Sequence, residues 1–548
     1  MRMHSSQSPA PSSSRRTVLG AGVAAAGGAL LAACSDGSSG PRGMDGMDGM
    51  DDGKNGMRHD GDPSGYVSPD GPEVAAAEKH RRTDGTVRKF RLTAATAEVD
   101  LGGRTVHTWA YGHELPGKEV RVTAGDTLQL TLHNHLPKST SVHWHGLTLR
   151  NDMDGVPGVT QRPIKSGASF TYRFATTHPG TYWLHPHTGV QIDRGLYAPV
   201  IVDDPREPLH YDWEWVVLVD DWVDGVDGST PDAVMAELHG GRGGGTGHGM
   251  DMGDDDGHTM DGGRSEEPGT KGPSRRLKAA RSRLLRGEPG DVDYPYHLIN
   301  GRVAEDPEVF RAKPGDRIRI RLINAGGDTA YRVALGGHKM TITHTDGHPV
   351  EHTETDALLI GMSERYDVLV TAKDGVFPLT ALAEGKNRTA LALLRTGGGA
   401  APGPSVRPKN LDGKLVTADR LRAAESVRAV ARRADRTLDF VLSGTMEKFD
   451  WALNGKQYTP TERYPVEAGE RVRLAFHNHS RMWHPMHLHG HTFALPGGGA
   501  RKDTTIVLPG STVNVDFEAD NPGLWMLHCH NIYHSESGMM TTVGYRRK

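Results

Sequence analysis

Four His-x-His pairs stand out in this chain: His143 and His145 in "HWH", His185 and His187 in "HPH", His487 and His489 in "HLH", His528 and His530 in "HCH". Residues i and i+2 of a strand face the same side, roughly 7 Å apart at Cα. Each pair therefore turns two imidazoles to one face. Imidazole suits copper, zinc and iron, and with no obvious carboxylate ligand beside these pairs, eight neutral histidines favour copper over iron. The fourth pair brackets Cys529, one of two cysteines in 548 residues. Strand alternation turns that thiol to the opposite face, toward His534 and Met539, five and ten residues on. His484 lies three residues before His487, an odd offset that puts it on the thiol's side. Two histidines, a thiolate and a weak methionine form the trigonal blue-copper set. Met540 reads as packing.

The elements that position these residues repeat. "TAGDTLQLTLHNH", "KPGDRIRIRLINA" and "EAGERVRLAFHNH" each join a Gly-Asp/Glu turn to an alternating strand and then Asn. Steps of eighteen and twenty residues lead from Gly125 to His143 and His145, and from Gly469 to His487 and His489. The same steps from Gly315 reach Val333 and Leu335. A second repeat, "PGTYWLHPH" and "PGLWMLHCH", places its histidines five and seven residues after Gly180 and Gly523. Three copies of one β-sandwich follow. The first and third carry ligands and face each other about a pseudo-twofold axis, and the middle one has lost them. The domains run 86–205, 206–400 with a Met/His-rich insert at about 225–290, and 401–548.

The net charge of −4 gives no reason to expect nucleic acid. Residues 35–85, with Met44, Met47, Met50 and Met57, have no period that could bury a core and read as a disordered linker. A second tract, His239–Gly263, contains His248, Met250, Met252, His258 and Met260. It lacks the Gly-Lys-Ser/Thr end of a phosphate loop. The basic run "KGPSRRLKAARSRLLRG" reads as a short solvated helix, and "RTGGGAAPGPS" as a linker. Residues 1–34 read as an address: Arg15 and Arg16 precede a short, weakly apolar run, as in a twin-Arg export signal. "LLAAC" resembles a lipoprotein processing box with Cys34 as the acylated residue. The expectation is a protein outside the cytoplasm, lipid-anchored at the outer face of the cell membrane, or periplasmic or extracellular. Cys529 is then left without a disulfide partner.

"HWHG", "HPH", "HPMHLHG" and "HCHNIYHSESGMM" resemble, in order, the four copper motifs of multicopper oxidases, over roughly residues 85–548. The resemblance implies an all-β fold of three cupredoxin-like Greek-key β-sandwich domains and four copper ions. His484, Cys529, His534 and Met539 would hold the type 1 copper, and His143 and His487 the type 2. His145, His185, His187, His489, His528 and His530 would hold the type 3 pair. The family reaction takes four single electrons from a reductant and reduces O2 to water. Cys529 joins the type 1 site to its neighbours His528 and His530 through the chain itself. Asp154 falls where the family keeps an acid that relays protons. A second family acid directly follows the last type 1 histidine; here that position is Ser535, and Glu536 comes next. The Met-rich tracts and "SESGMM" resemble bacterial copper-resistance members, which implies Cu(I) as donor. A ferroxidase, a laccase-like phenol oxidase and a non-enzymatic copper-sequestering lipoprotein are the alternatives, and a monomer is expected. A copper nitrite reductase has no use for the paired His-x-His cluster.

Overall fold

The computed structural model describes residues 65–81, 84–240 and 272–547. Each turn-strand repeat becomes a central strand: Thr127–His135, Arg317–Asn324 and Arg471–Asn478. The glycines opening them, Gly125, Gly315 and Gly469, all have φ between 91° and 101°, a region where a Cβ is costly. Every central strand has the same two neighbours. A parallel partner lies on one side, Val87–Asp100, Trp213–Trp222 or Arg436–Ser443. An antiparallel partner lies on the other, Ser169–Ala175, Arg365–Thr371 or Thr512–Glu518. A parallel neighbour cannot be reached by a tight turn, so the chain crosses to a second sheet and returns. The result is three two-sheet sandwiches with Greek-key connections.

The second sheets carry the chemistry. In the first sandwich His143–His145 pairs antiparallel with Gly180–His185, His143 opposite His185. In the third, His484–Leu488 pairs with Leu524–Cys529, His487 opposite His528. These registers are equivalent, as the repeat spacing requires. The middle sandwich sets Val333 opposite Ala381, and Val333 and Leu335 are fully buried in its apolar core.

Three expectations are corrected. Residues 65–81, within the stretch read as disordered, are ordered. Val67 N–H bonds the Tyr545 carbonyl at 2.8 Å, and the helix Pro72–Arg81 presents Glu78, whose carboxylate accepts the Ala175 N–H at 2.8 Å. Three apolar side chains of this segment, Tyr66, Val67 and Val74, are buried against the rest of the molecule. Among the described residues the basic run holds no helix: it is irregular, with a turn closed between Ser282 and Gly287. Its side chains reach neighbouring loops, Arg275 to Ser229 Oγ at 2.8 Å and Arg276 to the Leu238 carbonyl at 2.7 Å. The boundary near 400 falls later, because Leu415–Val416 pairs with Ala357–Leu358 in the middle sandwich. Arg15, Arg16, Cys34, Met44, Met47, Met50, Met57, His248, Met250, Met252, His258 and Met260 lie outside the described residues. No described helix is long and apolar enough to cross a membrane.

Candidate metal centres

The eight paired histidines meet between the first and third sandwiches, all buried. Their ring centroids lie 3.8–6.0 Å apart at the close contacts, and no gap in distance divides the eight into sets. His187, His489 and His528 form an equilateral trio with centroids 5.1 Å apart. His145, His185 and His530 form a second, at 4.9–5.7 Å. His143 and His487 lie 6.0 Å apart, farther than His143 lies from His185, at 5.3 Å. Across the domain boundary His143 stacks on His489 and His145 on His487, both at 3.8 Å.

The outward nitrogens are held by acceptors arranged with the same pseudo-symmetry. His143 Nδ1–H donates to the Asp154 carbonyl and His487 Nδ1–H to the Asp503 carbonyl, both at 2.9 Å. His185 and His528 donate to the carbonyls of the residues that follow them, Pro186 at 2.8 Å and Cys529 at 2.9 Å. The two aspartate carboxylates reach across the boundary. Asp154 Oδ2 accepts from His489 Nδ1 at 2.9 Å, and Asp503 Oδ1 from His145 Nε2 at 3.1 Å. An acceptor on one ring nitrogen fixes the tautomer and leaves the other nitrogen as the ligand atom. In agreement, His143 Nε2, His185 Nε2, His487 Nε2, His530 Nε2 and His145 Nδ1 are buried without a hydrogen-bond partner. Only in His145 among these five is Nδ1 the free nitrogen. Burial pushes His145, His185, His187, His487, His489, His528 and His530 below the ordinary imidazole range. They are therefore neutral, as metal ligands must be.

The second centre lies inside the third sandwich. Cys529 Sγ is 3.6 Å from both His484 Nδ1 and His534 Nδ1, which are 3.1 Å apart. Those separations are the edges of a trigonal site with bonds of roughly 2.0–2.3 Å. Met539 is fully buried, its N–H on the His534 carbonyl and its carbonyl on the Cys529 N–H, both at 3.0 Å. His484 Nε2–H donates to Ser480 Oγ, and His534 Nε2–H to Asp291 Oδ2, both at 2.8 Å. Burial pushes the Cys529 thiol up. A cation at this site is what would hold it as the thiolate. Orphaned nitrogens, neutral imidazoles and a thiol facing two Nδ1 atoms all fit copper.

Asp154 is fully buried, with Oδ1 3.3 Å from His143 Nδ1 and without a hydrogen-bond partner. Glu536 lines a cleft with His185, His187, His528 and His530, and burial pushes its carboxyl up to about 7. Ser535, where the family acid was expected, has Oγ 3.5 Å from His528 Nδ1. Met540 packs with Tyr66, Leu524 and Met526, as expected.

Sequence reasoning missed Asp503, Asp291, Ser480 and Arg365. Asp503 is the counterpart of Asp154, but it follows its histidine by sixteen residues and Asp154 by eleven, so the repeat did not reveal it. Arg365 and Asp291 come from the middle sandwich and its insert, where no ligand spacing marks them. The Arg365 guanidinium holds Asp503 well below the usual carboxylate range, despite full burial.

Multicopper oxidase family models match residues 93–207, 271–399 and 433–548. The chain is 45% identical to Multicopper oxidase MmcO of Mycobacterium tuberculosis, over 97% of this chain and 96% of that one. It is 27% identical to Copper resistance protein A of Escherichia coli, over 83% and 92%. The crystal structure of Fet3p, a multicopper oxidase that functions in iron import, shares the fold, with a TM-score of 0.68 at 22% identity over 84% of this chain and 90% of that one.

Proposed function

The chain belongs to the multicopper oxidase family, an O2-reducing oxidoreductase family, and we propose that it oxidises Cu(I) at a type 1 copper and reduces O2 to water at a three-copper cluster. In this reading His484, Cys529, His534 and Met539 hold the type 1 copper. His143 and His487 hold the type 2 copper, and the trios His145/His185/His530 and His187/His489/His528 hold the two type 3 coppers. Bound there, the four coppers supply one-electron storage and the site of O2 reduction.

The protein's own groups orient the imidazoles and move protons. Asp154, with one free oxygen beside His143 and His489, and Glu536, in the cleft beside the type 3 histidines, are placed to relay protons.

The observation that carries the donor assignment is the seal over the type 1 histidines. His484 and His534 are both fully buried, and the Trp451 ring lies 4.1 Å from His534. A phenol ring has no surface of either imidazole to dock on. The outward link from His534 is Asp291, whose second oxygen is buried without a partner. Its neighbour Gly290 lines a surface cavity of about 230 Å³ with Glu288, Met446, Glu447 and two arginines. Burial raises the carboxyl pKa of Glu288, Asp291 and Glu447 raise it further, and Arg281 and Arg481 oppose them, which marks the three carboxylates as neighbours. Carboxylates beside a thioether suit a small cation, and the soft sulfur favours Cu(I). The resemblance to copper-resistance proteins and the Met-rich tracts agree.

The test is O2 uptake by copper-loaded protein offered Cu(I), Fe(II) and a phenol separately. The reading expects the largest kcat/KM with Cu(I), and a selective loss for Met446→Leu with that donor. A Met446→Leu variant equally active with Cu(I) would remove the donor assignment. Absence of uptake with every donor would remove the oxidase. Export and a lipid anchor at Cys34 belong to the same proposal; failure of Cys34 to incorporate labelled fatty acid in cells would remove the anchor.

A further inference from the structure

We propose that Arg365, from the sandwich that holds no ligands, is a positioning residue for the histidine cluster: it clamps Asp503 so that this carboxylate decides which nitrogen His145 turns inward. The inference rests on the reading that the eight histidines hold copper.

Arg365 is fully buried and meets Asp503 as a fork, Nη1 to Oδ1 at 2.8 Å and Nη2 to Oδ2 at 2.6 Å. Its Nε donates to the Thr181 carbonyl of the first sandwich at 3.1 Å, and Nη1 also to the Ser363 carbonyl at 3.1 Å. One guanidinium thus ties all three sandwiches together at one carboxylate. A two-point fork fixes the plane of the carboxylate as well as its position. Asp503 Oδ1 can then accept from His145 in a single direction, and it takes the Nε2–H. That leaves Nδ1 as the free nitrogen of His145.

Two comparisons isolate the arginine as the cause. Asp154 occupies the pseudo-equivalent place, accepts from His489 across the boundary, and has no guanidinium partner among the described residues; its Oδ1 has no hydrogen-bond partner among them. The asymmetry between the two aspartates therefore comes from the middle sandwich. Room has also been left for the arginine. A Cβ on Gly146, the residue after His145, would lie 2.3 Å from Arg365 Nη2.

The fork is braced from behind. Asp346 Oδ1 accepts the Arg365 N–H at 2.9 Å, and its Oδ2 meets Lys502 Nζ at 2.9 Å. Lys502 in turn meets Glu364 Oε1 at 3.0 Å. Five buried charges in a row are a poor way to gain stability, since desolvation offsets most of their attraction. Holding a ligand orientation is a use that justifies them.

The experiment compares copper-loaded wild type, Arg365→Met, Arg365→Lys and Arg319→Met. Arg319 is the matched control, a buried arginine paired with Asp367 and Glu207 in the same middle sandwich. Copper per chain, affinity by competition with a chelator, the type 2 EPR signal, the blue absorption and thermal unfolding are measured. Arg365→Met is expected to weaken copper binding at the cluster by roughly 10–100-fold and to change the type 2 signal, with the blue band intact. Arg365→Lys, keeping the charge and losing the fork, is expected to fall between. Arg319→Met is expected to unfold at lower temperature with both signals as in wild type. Wild-type EPR and affinity in both Arg365 variants would overturn the proposal. The same spectral change in Arg319→Met would overturn it too, by showing general strain. If Arg365→Met does not fold, Arg365→Lys decides. A wild type that binds copper only at Cys529 would instead overturn the reading of the cluster, a separately recognisable result.

Discussion

Cys529→Ser isolates the electron-entry site from the rest of the molecule. The thiol is fully buried, its sulfur 3.6 Å from two imidazole nitrogens. Serine is nearly isosteric, so packing changes little. The cost is a hydroxyl in an apolar setting, about 1–3 kcal/mol if it stays unpaired, and less if it bonds His484 or His534 Nδ1. At about 2–4 °C per kcal/mol, the apoprotein melting temperature should fall by roughly 2–12 °C. The eight paired histidines do not use this sulfur. His528 donates to the Cys529 backbone carbonyl at 2.9 Å, an interaction that serine preserves. On the proposed loading the copper content should therefore drop from four to three, the blue absorption should vanish, and the type 2 EPR signal should remain. O2 uptake with any donor should fall to background, because the entry site is gone. Copper analysis, visible absorption, EPR and an oxygen electrode read these outcomes. A serine variant that kept full uptake would refute the reasoning, as would one that lost all four coppers.

Asp291→Asn should lower kcat/KM for Cu(I) by about 10–100-fold while leaving the KM for O2 unchanged; unchanged Cu(I) kinetics would show that His534 is fed by another route. Asp154→Asn should slow O2 reduction by about 10²–10⁴-fold with four coppers retained, checked by single-turnover reoxidation. Gly146→Ala places a Cβ at φ +84° and 2.3 Å from Arg365 Nη2, so strain plus overpacking should cost about 2–4 kcal/mol; a denaturant titration showing under 1 kcal/mol would contradict the packing. His297 is buried, its Nδ1 2.6 Å from the Tyr331 hydroxyl, and burial pushes its pKa well below the ordinary value. The unfolded chain takes up that proton near pH 6.5 and the folded chain only at lower pH. Stability is therefore lost as pH falls below about 6.5, by up to about 1.4 kcal/mol per pH unit for this group. His297→Gln should flatten the acid limb of an apoprotein stability profile by that amount, and an unchanged slope would count against it.

Much of the molecule was legible before folding because its information is periodic. A strand period of two fixed the faces of His528, Cys529 and His530. A sandwich repeat fixed the equivalence of His143 with His487 and of His185 with His528. Those inferences need only local geometry and counting along the chain. The order in residues 65–81 was not legible, because composition averaged a few anchoring side chains into a Gly- and Asp-rich background. The basic run at 271–287 misled for a related reason: its arginines satisfy carbonyls and hydroxyls of distant loops, which outweighs helix propensity. The outer supports of the metal centres were invisible on other grounds. Asp503, Arg365 and Asp291 act across boundaries between sandwiches, at offsets no repeat preserves. Their roles depend on burial and on which charge lies opposite. Spacing along the chain picked out the candidate ligands, the paired histidines and Cys529 between two of them. How His489, His145 and His534 are aimed is set in the folded molecule, because their hydrogen-bond acceptors Asp154, Asp503 and Asp291 lie hundreds of positions away along the chain.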